Sequence, residues 1–192
     1  GNTYKVLSAD ASLQHGHNPN GILFDELHTQ KSRELYDTMV TGTGARTQPL
    51  LFIMTTAGSS KTDGNICWEV HSYAQKVKNG IINDDTFLPV LYAADAEDVI
   101  QDPATWRKAN PNLGVSVSEE YLKKESKKAS ELPSYENTFK RLFLNIWTTS
   151  VTKWLSDSVW MENNEEIDLE ILKGKKCWGG LDLASTLDLS SL

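Results

Sequence analysis

The chain has 192 residues, room for one full domain and part of a second or for two small ones, but not for two large ones. At 39% hydrophobic, 9% aromatic and 23% charged residues, its composition is that of a packed globular protein, which sets aside disordered and low-complexity classes. Nineteen Lys and Arg against 26 Asp and Glu give a net charge of −7, so a uniformly basic nucleic-acid-coating protein is excluded and any DNA contact must be a local patch.

The longest aliphatic run, Leu50 to Met54, is five residues, against the roughly 20 that a membrane-spanning helix needs, so no membrane insertion is expected. The opening Gly1-Asn2-Thr3-Tyr4-Lys5 lacks the charged-then-apolar order of a secretory signal. Two cysteines, Cys67 and Cys177, do not make a disulfide framework, and a reducing cytoplasm is the expected compartment.

Short apolar runs alternate with helical patterns, the layout of an α/β protein with a parallel sheet flanked by helices. Val6-Leu7 and Gly21 to Asp25 read as strands. Ser32 to Val40 reads as a helix with Leu35, Met39 and Val40 on one side, stopped by Gly42-Thr43-Gly44. Leu50 to Thr55 is the next strand, Ile66 to Lys78 a helix closed by Asn79-Gly80, and Phe87 to Tyr92 a further strand. From Asp102-Pro103 the character changes, with helices over Ser118 to Ser130 and Ser134 to Trp147. A polar stretch, Thr148 to Lys176, then reads as an inter-domain linker, with Trp147, Trp154 and Trp160 as hydrophobic pins. Trp178 to Leu183 opens a new strand near the end of the sequence. No internal repeat is visible.

Chemistry concentrates at Gly21-Ile22-Leu23-Phe24-Asp25-Glu26. Three consecutive apolar residues make a buried parallel strand, and the two acids fall at its C-terminal end, where open α/β sheets bind ligands. Nucleotide hydrolysis accounts for adjacent acids there, one holding Mg²⁺ and its water shell, the other orienting or deprotonating the attacking water. The bland alternative is a strand end meeting a helix N-terminus, where acids suit the macrodipole. The next strand ends in Thr55-Thr56-Ala57-Gly58-Ser59-Ser60, a hydroxyl-rich turn at the same sheet edge; taken alone it is equally a capped strand-to-helix turn. An acidic-pair strand followed about 30 residues later by a strand with a polar turn is the order of ASCE-type P-loop motors.

These residues resemble the large terminase subunit of tailed bacteriophages, the ATP-driven motor that packages viral DNA into a procapsid and cuts it. Lys5 to Asp10, His15-Gly16, Asn18-Pro19 and Phe24-Asp25-Glu26-Leu27-His28 resemble its Walker B region, and Thr55-Thr56-Ala57-Gly58 its coupling motif. Trp106 to Gly114, Phe139 to Trp147 and Gly180 to Ser185 resemble the stretches leading through the linker into its nuclease domain.

The resemblance implies a P-loop NTPase-like (ASCE) fold. Residues 1–147 would be the C-terminal part of the ATPase domain, 148–176 the linker, and 177–192 the start of an RNase H-like nuclease domain. Asp25 would bind Mg²⁺, Glu26 would be the catalytic carboxylate, and Thr55, Thr56 and Gly58 would couple γ-phosphate loss to motion. Arg46, in a Gly-rich loop, would be an arginine finger offered to a neighbouring subunit, since a guanidinium neutralises phosphoryl charge. Asp182 would be the first acid of a two-metal nuclease centre using Mg²⁺ or Mn²⁺, with Asp188 an outer ligand or a simple turn cap. The implied partners are double-stranded DNA, copies of the chain in a ring, a portal protein and a small terminase subunit, met in the host bacterial cytoplasm and on the procapsid portal.

One departure limits the reading. No G-x-x-x-x-G-K-[ST] run occurs, and Gly58-Ser59-Ser60-Lys61-Thr62 lacks the glycines a phosphate cradle needs. In the family that loop lies upstream of Walker B, so the chain is expected to begin after it and to hydrolyse ATP poorly by itself. The histidines 15, 17, 28 and 71 show no zinc-ligand spacing. Lys123, Lys124, Lys127 and Lys128 form a helical face that Glu119 and Glu120 can pair with, while Arg107-Lys108 and Lys140-Arg141 are candidates for backbone contact. Two rival readings are a DExH-type helicase, for Asp25-Glu26-Leu27-His28, and a non-catalytic assembly module on the same scaffold. A helicase would carry a Ser-Ala-Thr turn where Thr55-Thr56-Ala57-Gly58 stands.

Overall fold

Alternation of apolar side chains about Ile22-Leu23-Phe24 makes strand β1, Gly21–Asp25, and the same logic makes β2, Leu50–Met54. In the computed structural model, which describes residues 3–8, 10–62, 64–150, 157–162, 169–176, 178 and 180, the two strands pair in parallel, Gly21 against Leu50 through Asp25 against Met54. Parallel strands need a crossover, and helix α1, Glu34–Thr41, supplies it. The chain divides into two units, Gly1–Leu155 and Ser156–Leu192.

In the first unit, Ile22 and Phe24 point from β1 into a core with Leu27, Leu35 and Met39, joined by Ile66 and Cys67 of helix α2, Ile66–Lys78. Phe24 packs on Tyr36 of α1 with ring centroids 5.6 Å apart. Helix α2 starts because the Asn65 carboxamide accepts from the Trp68 N–H at 3.1 Å, and ends at Asn79 and Gly80, whose φ of 70° suits glycine. Leu23, Leu50, Phe52 and Met54 lie on the opposite sheet face and stay exposed, Leu23 at 57%. Among the described residues, then, helices cover one face of the sheet, where the sequence predicts helices on both.

Two predicted strands are not strands. Val6-Leu7 and Phe87 to Tyr92 join no ladder. Local sequence favours an extended backbone there, but a strand also needs a neighbour to take its N–H and C=O groups, and among the described residues only β1 and β2 pair.

A second core, of helices, follows. Helix α3, Pro103–Ala109, has no counterpart in the sequence reading, although Asp102 capping the Ala104 N–H at 2.8 Å and Pro103 in the first turn form a start signal. Helix α4, Glu119–Glu131, starts where Ser118 accepts from the Tyr121 N–H at 3.1 Å. Helix α5 covers Pro133–Leu144, three residues short of the predicted end, because Asn145 turns left-handed at φ 53° and the Ile146 N–H returns to Lys140 O at 2.9 Å. Trp106, Leu122, Ala129, Phe139, Leu144 and Ile146 pack together, and the Trp106 indole N–H donates to Ile100 O at 2.7 Å.

The helical core is tied back to the strands. After Asn145 the chain places Trp147 against Trp68 (4.9 Å between centroids) and His71 (5.2 Å) of α2. The Thr148 N–H then reaches Gly58 O at 3.4 Å. The described part of the second unit contains helix α6, Asp157–Met161, and a 3₁₀ turn, Leu169–Leu172. Trp160 is exposed there. Trp154 and most of the predicted Trp178 to Leu183 strand, with Asp182 and Asp188, lie outside the described residues.

Candidate nucleotide-hydrolysis site

The parallel register of β1 and β2 brings Asp25 beside Met54, so the residues that follow each strand emerge at one edge. Glu26 leaves β1 in the left-handed region, φ 54° and ψ 49°, an uncommon conformation for a residue with a Cβ. It turns the chain at once into a 3₁₀ turn, Leu27–Thr29, whose Thr29 N–H and hydroxyl both return to Glu26 O at 2.9 Å. Leu27, wholly buried, pins this turn to the core.

The consequence is a polar cluster centred on His28. Its backbone N–H donates to Thr55 Oγ1 at 3.0 Å. Its ring Nδ1 lies 3.1 Å from Glu26 Oε2, 3.2 Å from Thr55 Oγ1 and 3.3 Å from Thr56 Oγ1. Thr55 donates its own hydroxyl proton to Thr56 O at 3.0 Å, so its oxygen accepts from a proton on Nδ1, while the Glu26 carboxylate stands at ion-pairing distance from the same nitrogen without a hydrogen bond to it. Cys67 Sγ stands 3.7 Å from Thr55 Oγ1, and burial pushes the Cys67 thiol above its ordinary pKa, with the Thr55 bond opposing.

Asp25 is exposed, and its side chain makes no hydrogen bond or ion pair among the described residues. No group of three or more His, Cys, Asp or Glu side chains among them forms a ready cation cage.

The remaining predicted residues are placed elsewhere. Gly58 is buried beneath the Trp147 indole. Arg46 is exposed and donates through Nε to Asn18 O at 3.0 Å, beside the Leu50 N–H to Asn20 O bond that opens the sheet. It therefore lies at the N-terminal end of the strands, whereas Asp25, Glu26, Thr55 and Thr56 lie at the C-terminal end. Asp182 and Asp188 lie outside the described residues. Among the cations considered for DNA contact, Arg107 pairs with Glu119, Lys108 bonds Asp95 and Asp98 at 2.7 Å each, and Lys140 bonds Glu136. Burial lowers the Arg141 pKa, and Lys128 sits 3.9 Å over the Tyr135 ring. No described helix is long and apolar enough to cross a membrane.

The sequence reading did not assign a role to His28. Its signal was a polar residue two places after Glu26, but which hydroxyls it meets depends on the β1 and β2 register. Trp147 was read as an inter-domain pin; the structure puts it on α2 and Gly58.

Residues 2–76 match the family model "Terminase large subunit, ATPase domain", and residues 81–192 match "Terminase large subunit, endonuclease domain". The chain is 34% identical over 178 residues to Protein YmfN of Escherichia coli (strain K12), covering 92% of this chain and 39% of that protein. It is 31% identical over 191 residues to the terminase, large subunit, of Enterobacteria phage HK97, covering 98% of this chain and 36% of that protein. The crystal structure of the HK97 bacteriophage large terminase superposes with a TM-score of 0.60 at 29% identity, over 76% of this chain and 29% of that one. The chain thus spans less than two fifths of the length of these relatives. The endonuclease-domain match covers more than half of the chain, and the chain belongs to the terminase large subunit family.

Proposed function

We propose that the chain is the part of a viral DNA-packaging motor that hydrolyses ATP at the Asp25-Glu26 edge and leads into a metal-dependent endonuclease. The observation that supports this reading most is the joining of Glu26 to Thr55 and Thr56 through His28 at the C-terminal end of two parallel strands. Asp25, exposed and with no side-chain partner among the described residues, would hold the magnesium of a bound ATP. Glu26 would orient the attacking water and take its proton. Mg²⁺, when bound, neutralises charge on the phosphate oxygens. Thr55 and Thr56 would sense the γ-phosphate, and Gly58 would pass the change to Trp147, which its turn touches.

Because Arg46 lies at the opposite strand end from the acids, it would serve a neighbouring subunit of a homo-oligomeric ring. The phosphate cradle, absent from this sequence, would come from elsewhere in the whole protein. We take residues 1–147 as the C-terminal ATPase part, 148–176 as the linker and 177–192 as the start of an RNase H-like nuclease. The packing of residues 94–147 into the first unit, with Trp147 on α2, supports that division against the endonuclease match, which begins at residue 81. Asp182, with or without Asp188, would bind the nuclease metal, Mg²⁺ or Mn²⁺. Double-stranded DNA, a portal protein and a small terminase subunit would be the partners, in the bacterial cytoplasm and at the procapsid portal.

The test is DNA-stimulated ATP turnover by the full-length protein with Glu26→Ala as the variant. Turnover is expected to fall by about 100-fold or more while nucleotide binding persists. An unchanged rate removes Glu26 from the reaction.

A further inference from the structure

We propose that His28 is a positioning residue, holding the Glu26 carboxylate in its working orientation and making that orientation depend on the Thr55-Thr56 hydroxyls. The inference rests on the ATP-hydrolysis reading above and adds to it a residue that the reading does not require.

Glu26 needs such a support. Its side chain is 54% exposed and has three rotatable bonds, so unaided it would spread over several rotamers rather than face one water. Its one recorded side-chain contact among the described residues is His28 Nδ1, at 3.1 Å. His28 is itself held: its side chain is only 14% exposed, its backbone N–H is fixed on Thr55 Oγ1, and its neighbour Leu27 is fully buried. The ring therefore cannot turn away from Glu26 without disturbing the end of β2.

The cluster also couples in the other direction. Nδ1 is hydrogen-bonded to the Thr55 and Thr56 hydroxyls at 3.2 and 3.3 Å and stands 3.1 Å from the Glu26 carboxylate, at ion-pairing distance. A single N–H cannot align well with all three at once. When a threonine oxygen swings out of reach of Nδ1, the proton is left to Glu26; when both oxygens return, Glu26 loses its share. A change at the strand-end hydroxyls is thus felt at the carboxylate within one side chain, with no movement of the sheet.

The experiment uses the full-length protein with His28→Ala, His28→Asn and Glu26→Ala, singly and with His28→Ala combined with Glu26→Ala. DNA-stimulated ATP turnover is expected to fall about 10- to 100-fold in His28→Ala, as misplacement of a reacting group does. The KM for ATP should stay within about twofold of wild type, because only orientation is lost. His28→Asn, whose amide N–H can stand near the Nδ1 position, should recover a large part of kcat. The double variant should be no slower than Glu26→Ala, since a residue acting through another adds nothing once that other is gone. A wild-type rate in His28→Ala, a loss carried by KM, or a multiplicative loss in the double variant overturns the proposal.

A readout independent of turnover is the imidazole ¹⁵N spectrum of the nucleotide-free protein. The His28 Nδ1 signal should move in Thr55→Val and again in Glu26→Gln. A signal indifferent to both overturns the bridge itself, also where His28→Ala does not fold. If instead Glu26→Ala leaves turnover intact while the signal responds, the bridge exists and the ATP-hydrolysis reading is what fails.

Discussion

Gly58→Ala should destabilise the protein, and the sign of the effect is informative because the ordinary expectation is the reverse. Gly58 does not have a positive φ, so alanine is compatible with its backbone and would by itself stabilise by about 0.4–1 kcal/mol through the unfolded chain. A Cβ there, however, would stand 2.8 Å from Trp147 Cζ3 and 3.2 Å from Cη2. The indole has little room to withdraw, since Trp68 lies 4.9 Å away edge-on and His71 5.2 Å away. Overpacking of this kind costs about 1–3 kcal/mol. The net loss is then about 1.3 kcal/mol, the difference of the mid-range overpacking and chain-entropy figures of about 2 and about 0.7 kcal/mol. Urea unfolding followed by tryptophan fluorescence measures it, and Gly58→Ala in a Trp147→Leu background should lose most of the penalty, because the clashing ring is gone. An alanine variant as stable as wild type, or equally destabilised in both backgrounds, would refute the claim that the Gly58 turn is seated on the tryptophan.

Two further outcomes follow from the packing. Burial among Trp68 and Trp147, with Lys61 nearby as a smaller cause, holds the His71 pKa below its ordinary 6.5. The folded state thus resists a proton that the unfolded chain accepts, so its contribution is intact above about 6.5 and is lost as pH falls from there through the lower folded value. Stability measured from pH 7.5 down to 5 should decline, and His71→Phe should flatten that decline; an unchanged slope would show that His71 is not the group responsible. Trp106→Ala should cost about 3–5 kcal/mol in urea unfolding, as large-to-small core changes do, since the ring is buried in the helical core and donates to Ile100 O. Trp160→Ala, at an exposed position, should stay within about 0.5 kcal/mol, and similar losses at the two sites would contradict this assignment of the core.

Local patterns were enough for much of the molecule. The run Ile22-Leu23-Phe24 specified β1, Asn79-Gly80 closed α2 at the residues observed, and Ser118 marked the start of α4. These are contacts between residues a few positions apart, so their signals sit within a short window of sequence. The start signal of α3 at Asp102-Pro103 is equally local. The acidic pair and the hydroxyl turn were also legible, because each follows a strand and parallel strands present their C-terminal ends together.

Long-range contacts were not legible. Whether Val6-Leu7 and Phe87 to Tyr92 become strands depends on a paired neighbour, which no local pattern supplies. That His28 lies between Glu26 and Thr55-Thr56, that Arg46 sits at the far end of the strands, and that Gly58 meets Trp147 are consequences of register and chain return across 27 to 89 residues. Side-chain identity decided which elements form and which chemistry is on offer. Only the packing of those elements decided which groups stand within a hydrogen bond of one another, because that distance is set by tertiary contacts formed after the local structure.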